Sequence, residues 1–280
     1  MKKTIYPCLW FDGNAAEAAN FYCSLFNNAQ ILQQTPVVTT FELDGTLFMG
    51  LNGGPMYRVN PAISYFVYCG GSEAEVSRLY TALSEGGSIL MPLDKYDWSS
   101  KYAWVEDRFG VNWQLDIDNI NSTQKIVPAL LFANQKKEQV KTAIDCYAEI
   151  FKSSKILMEV PYPPTAPMPE GTLLFAQYKV NNFIFNAISS YVKHDFDFSP
   201  ANSFVIECED QAEIDYYWDK LGQDGGRYEQ CGWLADKFGV SWQIVPAILP
   251  KLMTNPQSGE RVMQALLKMQ KIDIEILVNS

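Results

Sequence analysis

The stretch Trp104-Val-Glu-Asp107-Arg-Phe109-Gly110-Val111-Asn-Trp113-Gln114-Leu115 returns as Trp233-Leu-Ala-Asp236-Lys-Phe238-Gly239-Val240-Ser-Trp242-Gln243-Ile244. Both copies read Trp-x-x-Asp-x-Phe-Gly-Val-x-Trp-Gln, so the chain is an internal duplication. In each copy a strand meets a polar turn, glycine supplies the positive φ of a tight reversal, and a second strand leaves. Alternation along that second strand puts Val111, Trp113 and Leu115 on one face and Asn112, Gln114 and Asp116 on the other. The first face packs in a core, and the second presents an amide to whatever lies opposite. Asp107 and Asp236 stand where a turn wants an acceptor for its backbone N–H groups.

Working outward, Ile5 to Phe11 reads as a strand with Tyr6, Cys8 and Trp10 on one face. Pro7 cannot donate to a ladder, which predicts an edge position or pairing on one side there. Asn14 to Glu17 has capping-box spacing before a helix, Asp44-Gly45 marks a hairpin, and the same grammar restarts at Ile63 with a second capping box at Ser72 to Glu75. Ile126 to Phe132 repeats the first strand with its proline in register. Asn134 onward predicts a helix with Val140, Ile144, Tyr147 and Phe151 inward, Asn181-Asn182 replaces Asp44-Gly45, and Asp210 to Glu213 opens a fourth helix. Two long loops break the symmetry, one proline-rich at Val160 to Gly171 and one around Met91 to Trp98. After Pro250 an added helix is expected from Asn255-Pro256, with Val262, Met263, Leu266, Leu267 and Met269 on its apolar face.

The chain has 280 residues, 48% of them hydrophobic and 19% charged, enough for two domains with full cores. Its net charge of −10 and lack of a basic stripe argue against nucleic acid as a partner. The start, Met1 to Thr4, leads straight into a strand, and no segment reads as a signal peptide or membrane span, so a cytoplasmic protein without a membrane partner is expected. Six scattered cysteines without a C-x-x-C pair read as reduced, partly buried thiols.

The doubled unit carrying PCLWFDGNAAEAANFY, then MPLDKYDWSSKY, then the Trp-Gln motif resembles the vicinal oxygen chelate superfamily of glyoxalase I, bleomycin-resistance proteins and extradiol dioxygenases. Through QCGWLADKFGVSWQIVP and RVMQALLKMQKIDI it is similar to the PhnB-like branch labelled 3-demethylubiquinone-9 3-methyltransferase. The resemblance implies an α+β fold of tandem duplicated glyoxalase-like domains, each of two βαβββ units forming a curved mixed sheet with helices outside. The domains are residues 1–118 and 126–250, joined by a linker at 119–125 and followed by a C-terminal helix and tail over 251–280.

Metal-dependent relatives hold a divalent ion in a cup through one side chain from each of four strands. Those slots fall on Tyr6, Gly50, Ser64 and Gln114 in the first half and on Val127, Ala187, Ser203 and Gln243 in the second. Only the glutamines could ligate, and a neutral amide alone does not offset the desolvation of a dication, so no metal is expected. The one histidine, His194, lies in an acidic loop outside the slots. Gly53-Gly54-Pro55 and Gly70-Gly71 follow the wrong elements for a cofactor cradle, so the methyltransferase label is unsupported and no cofactor is expected.

The function expected is that of a metal-free binder of, or enzyme on, a small, partly aromatic or apolar molecule, with one cup per half. Tyr6, Cys8, Trp10 and Gln114 would face one cup with Trp98 at its rim, and Gln243 with Cys231 would stand near the other. Cys231, Asp107 and Asp236 are the candidates for any chemistry. The alternatives are a metal-dependent lyase or isomerase of the glyoxalase type and a non-catalytic interaction module. A monomer whose halves pair internally is expected, with a homodimer as the alternative.

Overall fold

The computed structural model describes residues 5–280; Met1 to Thr4, read above as the lead into the first strand, lie outside them. Four strand-helix-strand-strand-strand units follow one another. The first is β1 (Ile5–Phe11), α1 (Ala15–Leu25), β2 (Ala29–Gln34), β3 (Val38–Leu43) and β4 (Thr46–Asn52). The second is β5 (Ile63–Tyr68), α2 (Glu73–Ser84), β6 (Ser88–Tyr96), β7 (Ser99–Glu106) and β8 (Asn112–Asp116). The third is β9 (Ile126–Phe132), α3 (Val140–Ile150), β10 (Ser154–Pro161), β11 (Leu173–Val180) and β12 (Phe183–Ser189). The fourth is β13 (Asn202–Cys208), α4 (Gln211–Gly222), β14 (Arg227–Tyr228), β15 (Trp233–Ala235) and β16 (Ser241–Pro246), and α5 (Leu249–Met253), α6 (Gly259–Leu266) and α7 (Ile274–Val278) close the chain.

Local chemistry explains most boundaries. Asp44 and Gly45, at φ 43° and 80°, and Asn181 and Asn182, at 46° and 68°, place two consecutive left-handed residues in each hairpin turn, matching the right-handed twist of the flanking strands. Ser72 and Asp210 cap α2 and α4 by accepting from the N–H groups of Glu75 and Glu213. Asn14 does not cap α1; the Ala15 N–H donates instead to Asn52 Oδ1 at 2.9 Å, which ties the helix start to the end of β4. Asn134 opens a short 3-10 turn, and α3 itself begins at Val140. The stretch around Met91 to Trp98 is not a loop but the β6–β7 hairpin, with Trp98 at its turn.

The units pair across the duplication. Sheet A runs β14-β15-β16-β13-β1-β4-β3-β2 and sheet B runs β10-β11-β12-β9-β5-β8-β7-β6. Each mixed eight-stranded sheet therefore takes one unit from each half, joined at the antiparallel seams β1–β13, where Tyr6 faces Val205, and β5–β9, where Phe66 faces Val127. β1 is central, not an edge. Pro7 stands opposite Phe204 of β13, before the ladder to β4 begins at Cys8, and Pro128 precedes the ladder to β12 in the same way. The missing N–H thus falls where each strand is paired on one side only.

The helix-covered faces of the two sheets pack on each other and share one core. Tyr22 of α1 meets Trp113 of β8 at 5.2 Å between ring centroids, Phe48 meets Tyr65 at 5.3 Å, and Phe185 meets Phe204 at 4.9 Å. Period-two alternation then sends Tyr6, Cys8, Val205 and Gln243 to the open face of sheet A, and Ser64, Phe66, Gln114 and Val127 to that of sheet B.

The expected single C-terminal helix is three short ones, in which Val262 and Leu266 are buried while Leu267 is exposed. The segment between α6 and α7 ties them to α4 and to the turn before β15: the Cys231 and Gly232 N–H groups donate to Met269 and Gln270 carbonyls at 2.8 and 2.7 Å, and Lys271 pairs with Asp215 at 2.8 Å. Among the described residues no helix is long and apolar enough to cross a membrane.

Candidate functional site

The open face of sheet B is an aromatic cup with two amide networks on its floor. Gln114 is 1% exposed; its Nε2 donates to Ser64 Oγ at 2.6 Å and its Oε1 accepts from the Tyr102 hydroxyl. Beside it, Gln177 Nε2 donates to Tyr68 OH at 3.1 Å and to Asn186 Oδ1 at 3.0 Å, and Asn186 Nδ2 donates to Tyr68 OH at 3.3 Å. Burial raises the Tyr68 phenol to about 12, so it keeps its proton. Phe66, Trp104 and Phe175 line the wall, and Tyr96 stacks on Trp98 at 5.1 Å at the rim, where Trp98 is 57% exposed.

The sheet A cup is built from the equivalent positions with different chemistry. Its floor is Tyr6, Cys8 and Val205, flanked by Leu47, Met49, Leu51 and Val245. Gln243 Nε2 donates to Ser203 Oγ at 2.9 Å, and Tyr6 OH donates to Glu207 Oε1 at 3.1 Å. Burial raises the Glu207 carboxyl, opposed by the Tyr6 bond, and pushes the Cys8 thiol up to about 12, opposed by Gln243 and Ser203. Cys8 is therefore an inert thiol. Trp10 Nε1 donates to the Gly54 carbonyl at 2.7 Å, and its ring meets Trp233 edge-on at 6.1 Å.

This geometry regroups the residues picked from sequence. Because β1 pairs with β13, Tyr6, Cys8 and Trp10 join Gln243; Gln114 and Trp98 belong to the other cup. Cys231 faces neither cup: it packs against the shared core at φ 61°, donates its S–H to the Leu266 carbonyl at 3.6 Å, and burial raises its thiol.

The two aspartates are also outside the cups. Asp107 Oδ1 accepts from the Phe109 and Val111 N–H groups at 2.8 and 3.0 Å, and Oδ2 accepts from Trp113 Nε1 and Tyr22 OH, both at 2.8 Å. Asp236 repeats the arrangement with Phe238, Val240, Trp242 Nε1 and Tyr147 OH at 2.9, 3.0, 2.8 and 2.7 Å. Burial pushes Asp107 up to about 6 and raises Asp236, against the four bonds that favour the charged form. Each carboxylate clamps its turn to the indole of the next strand and to the helix of the neighbouring unit.

The two halves match, over residues 3–116 and 124–245, the profile of the family described as 3-demethylubiquinone-9 3-methyltransferase. The chain belongs to that family. The PhnB protein from Bacillus cereus is 35% identical over 40% of this chain and 96% of its own, with a TM-score of 0.37. A solved protein from Staphylococcus aureus is 30% identical over 41% of this chain and 96% of its own, with a TM-score of 0.20. Glyoxalase I from Zea mays covers 86% of this chain and 92% of its own at 10% identity and a TM-score of 0.57, which shows a shared vicinal oxygen chelate fold and no more. No curated protein matches the chain.

A metal in this family's fold would need one donor from each of four central strands. Two of the expected slots turn away: a Cβ on Gly50 would meet Ala15 and Phe11 at 3.1 and 3.3 Å on the helix side, and Ala187 lies in the shared core. Their neighbours Met49 and Asn186 face the cups instead. The sets become Tyr6, Met49, Ser203 and Gln243 in one cup and Ser64, Gln114, Val127 and Asn186 in the other, all uncharged. Gln114 is bonded at both ends, and a dication needs several anionic or imidazole donors, so these sets do not fit one. Among the described residues no cluster of three His, Cys, Asp or Glu side chains is placed to hold a metal. His194 sits in its loop beside Ser190 Oγ at 3.0 Å.

Gly70 and Gly71 do lie in a strand-to-helix turn, between β5 and α2, contrary to the sequence reading. Their N–H groups are taken by the Asp118 and Ile117 carbonyls at 3.0 and 2.6 Å and form no cradle for a phosphate.

Sequence reasoning missed Tyr68, Tyr102, Gln177, Asn186 and Glu207. Alternation along β5, β7, β11, β12 and β13 marks them as facing away from the core, but only the seams reveal which of them meet.

Proposed function

We propose that the protein holds a small, flat, partly aromatic molecule in the sheet B cup, oriented by neutral hydrogen bonds and without a metal ion. The observation that carries this reading is the Tyr68–Gln177–Asn186 triad. Tyr68 accepts two amide N–H bonds and keeps its own proton, which has no acceptor among the described residues. Gln177 Oε1 likewise has no donor there. One free donor and one free acceptor, half-buried among aromatic rings, suit a carbonyl or ring nitrogen beside an N–H or O–H group. Burying ~100 Å² of apolar ligand surface against Phe66, Trp104 and Phe175 contributes roughly 2.5 kcal/mol. Gln114 serves this cup indirectly, by fixing Tyr102 and Ser64.

The test is a titration with planar heteroaromatic compounds carrying a carbonyl or ring nitrogen, read by tryptophan fluorescence before and after dialysis against a chelator. Tyr68→Phe and Gln177→Ala should each weaken binding about tenfold while the chain stays folded, and chelation should change nothing. Unchanged affinity in both variants, or affinity lost with the chelator, would remove this reading.

A further inference from the structure

Among the differences between the two cups, one pair of positions brings in a carboxyl. Where the sheet B cup has Tyr68 and Val127, the sheet A cup has Glu207 and Tyr6, so a carboxyl replaces a phenol at the same place on the sheet. Glu207 Oε1 accepts from the Tyr6 hydroxyl, which is itself 6% exposed and fixes the carboxyl's orientation. Oε2 has neither a hydrogen bond nor an ion pair among the described residues, and the side chain is half-buried beside Val205 and Val245. A carboxylate in apolar surroundings with one neutral donor and no cation among the described residues is an incomplete arrangement. What completes it is a positively charged N–H donor.

We propose that the sheet A cup is a second, separate site for a small organic cation: a protonated primary amine on an apolar or aromatic body, its N–H groups on Glu207 and its body over Val205, Met49 and Leu51. The cup sets the size of that body. Trp10 lies four residues from Tyr6 along β1, about 13 Å at the rise of a strand, and its edge contact with Trp233 closes that end with aromatic surface. One or two rings fill the distance. The site stands independently of the reading of the sheet B cup, since it uses different strands and a different polar group.

Among the described residues the titratable group on Glu207 is Tyr6, with Cys8 next to Tyr6 on the same face, and burial keeps both protonated through the neutral range. Farther out on β3, Glu42 accepts from Gln30 Nε2 at 3.2 Å. Lowering the pH therefore protonates Glu207 and should abolish cation binding, while leaving any binding of a neutral isostere in place.

The experiment is isothermal titration calorimetry of the full chain with benzylamine and 2-phenylethylamine against benzyl alcohol as the uncharged control. The amines should saturate and bind at least about tenfold more tightly than the alcohol near neutral pH, and the preference should fade on acidification. Glu207→Gln should erase the preference; Gln177→Ala, in the other cup, should leave it intact. Tyr6→Phe gives a second variant should Glu207→Gln fold poorly, and it should weaken the amines more than the alcohol. Equal binding of alcohol and amine, a preference that survives Glu207→Gln or acidification, or no saturation by either amine would overturn the proposal.

Discussion

Replacing Asp107 with asparagine preserves the side chain's shape and halves its acceptors. The carboxylate receives four donors, two on each oxygen. An amide oxygen can satisfy one pair, but the NH2 group then points its own hydrogens at the other. Trp113 and Tyr22 are fully buried, so no water replaces the lost acceptor, and each orphaned donor costs roughly 1–3 kcal/mol. Part of that loss is offset, because the amide carries no charge to desolvate; burial that moves Asp107 from 3.8 to about 6 opposes the carboxylate by roughly 3 kcal/mol at neutral pH. A hydroxyl that can rotate, as in Tyr22, also recovers some of the deficit. The expected net loss is about 2 kcal/mol, read as a lowered midpoint in urea unfolding at constant m-value. Asp236→Asn should behave alike, and the double variant should lose the sum within about 0.5 kcal/mol, since the two clamps share no residue. A loss below about 0.5 kcal/mol in either single variant would refute the clamp and reopen the aspartates as functional groups.

Gln114→Ala leaves Tyr102 OH and Ser64 Oγ without partners in a sealed floor, and urea unfolding should register a loss of about 2 kcal/mol. The two clamp aspartates set a pH dependence: with the folded pKa of each raised above the unfolded one, the native state binds more protons, so their contribution to stability falls as pH rises, for Asp107 between about pH 4 and 6 and for Asp236 in the same direction. Asp107→Asn should flatten that part of a melting-temperature profile. Gly232, at φ +80°, would bring a Cβ to 2.6 Å from the Ile244 carbonyl, so Gly232→Ala should cost more than about 2 kcal/mol and speed proteolysis within residues 249–280, whose docking bonds start there.

Much of the architecture was legible because it is local. The Asp-x-Phe-Gly turn, the left-handed hairpin residues at Asp44-Gly45 and Asn181-Asn182, and the capping spacing at Ser72 and Asp210 each act within a few residues and fold as read. Asn14 failed for the opposite reason: its role passed to Asn52, a residue far along the chain whose amide reaches the same N–H. The C-terminal helix breaks after Leu266 where the Met269 and Gln270 carbonyls accept from the distant Cys231 and Gly232 N–H groups instead of continuing a helical ladder.

Sequence by itself determined the duplication, the four repeating units and, through period-two alternation, which side chains of each strand face away from the core. Only the tertiary structure decided which units share a sheet. The free edge of β1 meets the same alternating pattern on β5 and on β13, because duplication made those strands alike, and no local preference separates the two pairings. The choice of β13 brings Tyr6 to Glu207 and leaves Gln114 with Tyr102 and Ser64, and so gives one cup a carboxyl and the other an uncharged aromatic floor.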